Sequence, residues 1–170
     1  VVDDASTDKT PDVVIAKGKE NPGRVLHLRR DKGGEGKAHT LNHGLVQILA
    51  DDWMEALLIM DADVVYEPNS LRKMTRHFAD PEVGAVTAYI KEGSRPPNWM
   101  KRFVGYEYIT AQAAARRSQN VLGAMACLAG GAQLHTRANH EAIGGQIDTS
   151  SLAEDTFTTF KTQLAGNRVV

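Results

Sequence analysis

The chain has 170 residues, 42% of them apolar, with 20 Lys and Arg against 21 Asp and Glu for a formal net charge of −1. That balance points away from nucleic acid or an anionic membrane as the main partner, and the length suits one domain with a sizeable core. No run of about 18 apolar residues is present, so this stretch does not span a bilayer, and a single cysteine, Cys127, excludes an internal disulfide.

Val1-Val2 reads as the end of a buried strand that stops at Asp3-Asp4. Thr10 is expected to cap a helix with Pro11 in its first position, running to about Gly18. Val25–Leu28 reads as a short strand. A glycine-rich loop, Gly33-Gly34-Glu35-Gly36, leads into a helix from Lys37 to Leu49, whose Leu41, Leu45, Ile48 and Leu49 recur at helical spacing. Ala56–Met60 is a compact apolar strand ending at Asp61. Pro68-Asn69-Ser70 opens the next helix, with Leu71, Met74 and Phe78 on one face. Val83–Ile90 reads as a strand, and Asn98–Ser118 as a long helix broken near Gly105. After the apolar stretch Met125–His135, Thr136 caps a short helix that stops at Gly144-Gly145. Glu154–Leu164 is the last helix, and Arg168-Val169-Val170 begins another strand. The alternation predicts an α/β fold with a mostly parallel central sheet flanked by helices. A chain that opens and closes inside strands is expected to be a piece of a longer protein.

Two acidic pairs follow strand ends: Asp3-Asp4, and Asp61 with Asp63. Open α/β sheets bind ligands beyond the carboxyl ends of their strands. Carboxylates gathered there repel unless a cation compensates. Mg²⁺ or Mn²⁺ would do so, held by one or two carboxylates and by substrate phosphates. Asp also favours turns and caps, so each pair alone is equally a polar turn. The loop Asp31–Lys37 offers backbone N–H groups and a lysine to a phosphate, although it lacks the full phosphate-loop pattern. Glu154-Asp155 at a helix start is stabilised by the helix dipole, or else supplies a general base. The six histidines form no zinc pattern with Cys127.

Taken in order, these motifs resemble the family-2 glycosyltransferases with the A-type fold. The carriers are Val1-Val2-Asp3-Asp4-Ala5-Ser6-Thr7-Asp8, Gly36-Lys37-Ala38 with Leu41-Asn42, Leu58-Ile59-Met60-Asp61-Ala62-Asp63, and Gly144-Gly145 followed by Glu154-Asp155. Val83-Gly84-Ala85-Val86-Thr87 and Gly105-Tyr106-Glu107-Tyr108 look most like the processive synthases of poly-N-acetylglucosamine, hyaluronan, chitin and cellulose. The resemblance implies a metal-dependent, inverting hexosyltransferase that moves N-acetylglucosamine or glucose from a UDP-sugar to a polysaccharide or other hydroxyl acceptor. It implies that Asp3 and Asp4 hold the uridine, Lys37 the diphosphate, and Asp61 and Asp63 the ribose and an Mg²⁺ or Mn²⁺ ion. Asp155, with Glu154 beside it, would be the catalytic base, and Cys127, Gly130 and Gly131 would face the acceptor sugar. It further implies one catalytic domain over residues 1–170, with a donor-binding half to about residue 90 and an acceptor half after it. The parent protein would be membrane-embedded, this part lying on the cytoplasmic face of the inner membrane.

The sequence departs from that pattern where Ala153 precedes Glu154-Asp155, in place of the family's threonine. The family's first strand would precede Val1, and its Gln-x-x-Arg-Trp motif would lie beyond Val170. Two alternatives stand beside this reading. One is a nucleotide-sugar-binding module without turnover. The other is a haloacid-dehalogenase-like phosphatase, against which Val64-Val65 stands where that class continues with Gly-Thr.

Overall fold

The computed structural model describes residues 1–91 and 98–170. They form two compact units: Val1–Met54 with Gly145–Glu154, and Glu55–Gly144 with Asp155–Val170.

In the first unit, β1 (Val2–Asp3) pairs in parallel with β2 (Leu28–Arg29). The crossover between them is α1 (Thr10–Glu20). This helix begins at Thr10 itself, so Thr10 is not its cap. Asp8 Oδ1 instead accepts the Thr10 N–H at 2.9 Å, and α1 runs two residues beyond the expected Gly18. β2 starts only at Leu28, later than the expected Val25. α2 (Lys37–Leu49) has the expected bounds, and Gly36 precedes it with φ 107°, a conformation suited to glycine. A Cβ on Gly44 would lie 2.6 Å from Val2 Cγ2, so the absence of a side chain lets α2 sit directly on β1. Asn42 then ties down the returning segment, giving and accepting 2.8 Å hydrogen bonds with the Ile147 backbone.

The second unit is built on a four-stranded sheet of order β3-β5-β4-β6, with β3 Ala56–Met60, β4 Val83–Thr87, β5 Ala132–Thr136 and β6 Arg168–Val169. β4 and β6 run parallel, but β5 is antiparallel to both its neighbours. The β1–β2 pair is parallel, whereas the four-stranded sheet is mixed, so the expected α/β fold holds and the departure from a mostly parallel sheet is confined to β5. After β4 the chain makes a long helical excursion and returns where β3 stops. There the Asp61 N–H donates to Gly131 O at 3.1 Å, and β5 then runs back along β3.

That excursion comprises α4 (Trp99–Tyr108), a π-helical stretch from Ile109 to Ala115, and α5 (Arg116–Val121). Asn98 caps α4 by accepting the Lys101 N–H at 3.1 Å. The helix is not broken at Gly105; its irregularity is the wider π stretch that follows. Trp99, Phe103 and Tyr106 lie on its solvent side, so their helical spacing marks a helix without marking its buried face. α3 (Ser70–Thr75) continues as a 3₁₀ turn over Arg76–Ala79. Met74 and Phe78 pack inward, whereas Leu71 is exposed. β4 stops at Thr87, short of the expected Ile90.

One cluster of the core gathers Met74, Val83, Val86, Leu134 and Val170, and a second Ala85, Met125, Leu128 and Val169. Thr136 caps α6 (Arg137–Ala142) as expected, accepting the Asn139 N–H at 3.1 Å. A buried polar chain runs from β5 into α6 and the last helix, α7 (Glu154–Leu164). His135 Nε2 meets Gln133 Oε1 at 2.9 Å, and Asn139 Nδ2 reaches His135 Nδ1 at 3.4 Å and Thr162 Oγ1 at 3.1 Å. This pattern assigns the neutral imidazole with its proton on Nε2.

Candidate functional site

In the first unit the strand end after β1 is a web of ion pairs. Asp3 is 2% exposed. Its Oδ1 accepts the Ser6 N–H at 2.8 Å, and its Oδ2 accepts Arg29 Nη1 at 2.8 Å and faces His27 Nε2 at 3.1 Å. The Ser6 hydrogen bonds, followed by His27 and Arg29, hold its carboxyl down at about 2. Both oxygens are thus engaged within the chain, and Asp3 shapes the turn in which Ala5 takes φ 60°.

Asp4 is more open. Its Oδ2 accepts the Gly34 N–H at 2.9 Å, and its Oδ1 pairs with Arg30, which also pairs with Glu35. The Gly34 amide is the leading cause that holds the Asp4 carboxyl below its usual range. A Cβ on Gly33 would fall 2.0 Å from Asp4 O. The glycine-rich loop is therefore latched to the strand end. The Gly34 N–H, expected to be available to a phosphate, is bound to Asp4 instead. Lys37, the first residue of α2, places Nζ 3.6 Å from Glu154 Oε1. Both line a cavity of about 160 Å³, together with Glu35, His39, Ser150 and Ser151.

In the second unit a larger cavity, about 930 Å³, opens beyond the end of β3. Asp61, Asp63, Gly130, Gly131 and Asp155 all line it. Asp61 is half-buried and Asp63 exposed. The two are joined by a turn in which the Val64 N–H donates to Asp61 O at 3.2 Å. A Cβ on Gly131 would sit 3.2 Å from Asp61 Oδ2 and 3.3 Å from Val64 Cγ2, so glycine leaves room for that carboxylate. Asp155 Oδ1 accepts the Thr156 N–H at 2.7 Å. Cys127 is not among the cavity-lining residues. Its sulfur accepts from the Thr156 hydroxyl at 3.3 Å, and burial pushes its thiol pKa up.

The sequence reading missed the cations of this cavity. Lys73, Arg76, Lys91 and Arg116 line it beside the three aspartates. Arg116 is anchored by the Gln112 side chain and by Ala88 O at 3.4 Å. Burial lowers its pKa, and the charges of Cys127 and Asp155 oppose that shift. The available signal was the pair Gln112 and Arg116, four apart and polar within an alanine-rich helix.

Among the described residues, no three His, Cys, Asp or Glu side chains are grouped to hold a metal by themselves. Asp61 and Asp63 nevertheless fit such an ion in kind. They are hard carboxylate donors on one cavity, the minimal set that binds Mg²⁺ or Mn²⁺ when substrate phosphates supply further ligands.

A family model described as "Glycosyl transferase family 2" matches residues 1–138. The beta-monoglucosyldiacylglycerol synthase of a Synechocystis species is 30% identical over 146 residues, 85% of this chain and 29% of that protein. An N-acetylglucosaminyltransferase of Azorhizobium caulinodans is 25% identical over 137 residues, 81% of this chain and 33% of that one. Chitin synthase 4 of Exophiala dermatitidis is 28% identical over 83 residues, 48% of this chain and 7% of its own length. Among solved structures, the mannosyltransferase PcManGT from Pyrobaculum calidifontis, in complex with GDP-Man and Mn²⁺, superposes with TM-score 0.73 at 26% identity. That match covers 100% of this chain and 44% of the other. The chain thus spans about a third or less of the curated relatives it matches.

Proposed function

The chain belongs to glycosyl transferase family 2 and has the A-type glycosyltransferase fold, and from that premise we propose that it is the catalytic part of an inverting, metal-dependent hexosyltransferase. It transfers N-acetylglucosamine or glucose from a UDP-sugar to a hydroxyl of a growing polysaccharide or another acceptor. The observation that carries this reading is the second unit's cavity, which Asp61, Asp63 and Asp155 line together with Arg116. Support comes from relatives named as N-acetylglucosaminyl- and glucosyl-transferring enzymes, and from a structural neighbour solved with a nucleotide sugar and Mn²⁺.

In this reading Asp4 contacts the nucleoside and Asp3 sets the turn that presents it. Lys37 takes the diphosphate, Asp61 the ribose and the metal, and Asp63 the metal. The ion, Mg²⁺ or Mn²⁺, supplies positive charge to the leaving diphosphate when bound. Asp155 removes the proton from the acceptor hydroxyl. That oxygen bonds to the anomeric carbon as the bond from this carbon to the diphosphate oxygen breaks, and UDP departs with the electron pair. Gly130 and Gly131 leave room for the acceptor sugar, and Cys127 backs Thr156 behind them. The donor-binding residues lie mainly in the first half of one catalytic domain and the acceptor residues in the second. No described helix is long and apolar enough to cross a membrane. In this reading the parent protein works at the cytoplasmic face of the inner membrane.

Calorimetry with UDP, with and without Mn²⁺, tests the donor site. Metal-dependent binding that disappears in Asp63→Ala is expected, and failure of UDP to bind with metal present refutes the reading. Because the chain spans only part of its relatives, a second reading is a nucleotide-sugar-binding module. UDP binding without any turnover of a UDP-sugar favours it.

A further inference from the structure

We propose that Glu154 is a positioning residue for Lys37, holding its ammonium in place for the donor diphosphate, and that it takes no proton from the acceptor. The inference rests on the donor role proposed for Lys37.

Glu154 and Asp155 are neighbours in sequence, yet they line different cavities. Asp155 lines the large cavity of the second unit, and Glu154 lines the small one of the first, with Lys37. The Glu154 side chain is 11% exposed and that of Lys37 33%. A carboxylate buried to that degree requires a compensating cation, and the Lys37 ammonium stands 3.6 Å away. That separation is longer than the 2.7–2.9 Å typical of a charge-assisted hydrogen bond. At that separation Glu154 acts on the ammonium mainly through its charge.

Lysine gains from such a neighbour because of its flexible stem. A four-carbon stem carries considerable rotamer entropy, and an ammonium already drawn toward a carboxylate surrenders less of it on meeting a phosphate. Lysine also carries three N–H donors, so a carboxylate on one side is compatible with an anion on another. The ion pair is not the one tie between these two segments. The segment from Gly145 to Glu154 is tied to α2 by the two 2.8 Å hydrogen bonds of Asn42 with Ile147. The segment that ends at Glu154 and the helix that begins at Lys37 are thus joined by neutral hydrogen bonds as well as by the ion pair.

The test compares Glu154→Gln, which keeps the shape and removes the charge, with Glu154→Asp and Asp155→Asn. Three measurements are made on the 170-residue chain: UDP affinity by calorimetry with Mn²⁺, UDP release from UDP-N-acetylglucosamine, and acylation of Lys37 by an amine-reactive ester, read by mass spectrometry. Glu154→Gln is expected to weaken UDP binding about tenfold, equivalent to about 1.4 kcal/mol, while maximal turnover at saturating donor stays within about twofold. Glu154→Asp recovers part of the affinity. Asp155→Asn shows the reverse pattern, losing turnover and keeping affinity. Lys37 acylation rises in Glu154→Gln relative to Lys17 and Lys19 on α1. A Glu154→Gln variant that loses turnover with unchanged UDP affinity overturns the proposal, as does one in which Lys37 labelling does not change. If the unsubstituted chain binds no UDP, the donor reading itself fails, whereas the labelling arm still reports on the ion pair.

Discussion

Mild acidification loosens the second unit through His135. This imidazole is fully buried, and burial, with a smaller contribution from nearby His140, pushes its pKa down to about 3. In the unfolded chain it returns to about 6.5. Between those values the unfolded chain binds a proton that the folded chain does not. Stability therefore falls as pH drops below about 6.5, at up to about 1.36 kcal/mol per pH unit for this one group. From pH 7 to pH 5 that is a loss of about 2 kcal/mol. For a chain of this length it corresponds to a fall of about 4–8 °C in Tm. The neutral tautomer that gives to Gln133 and accepts from Asn139 is what protonation would break. His77, also lowered by burial and by Arg76 and Arg168, adds to the same trend. Asp3, held near 2, contributes only at much lower pH: its stabilising effect is present above its unfolded pKa of about 3.9 and is lost as pH falls toward 2. Thermal unfolding followed by circular dichroism at pH 7, 6 and 5 measures the slope. His135→Gln should flatten it, whatever that variant costs at pH 7, while His77→Gln should change it less. A wild-type Tm that stays level from pH 7 to 5, or an equal slope in His135→Gln, refutes the reasoning.

Gly33→Ala puts a Cβ 2.0 Å from Asp4 O, so the loop must leave the strand end. UDP affinity should fall more than tenfold, read by calorimetry, with far-ultraviolet circular dichroism showing that the helices persist. Asp155→Asn should lower turnover by at least about 10² while UDP binding remains, as expected on removing a general base. Arg116→Gln removes the cation whose charge interacts with Asp155. It should lower turnover more than donor affinity, and Arg116→Lys should restore part of it, measured as UDP release.

Much of the local structure was legible without coordinates. The bounds of α2, β3 and α7 follow from periodicity and from the glycine or turn residues beside them, and the Thr136 cap follows from its side-chain chemistry. The A-type fold and the family were also legible, because four short motifs in one order are far more specific than any of them alone. Spacing did not say which way a face points: Leu71, Trp99, Phe103 and Tyr106 fit a helix and lie in solvent. Nor did it say that the glycine-rich loop spends the Gly34 N–H on Asp4.

The element types and the acidic motifs at strand ends are properties of neighbouring residues, fixed by backbone propensity and side-chain pattern, and the sequence by itself determined them. The direction of β5, the gathering of Arg116 with Asp61, Asp63 and Asp155, and the separation of Glu154 from Asp155 into different cavities were decided by tertiary structure alone. Each depends on contacts between residues tens of positions apart. Strand pairing and the compensation of buried charge choose among such contacts, and no local pattern records the choice.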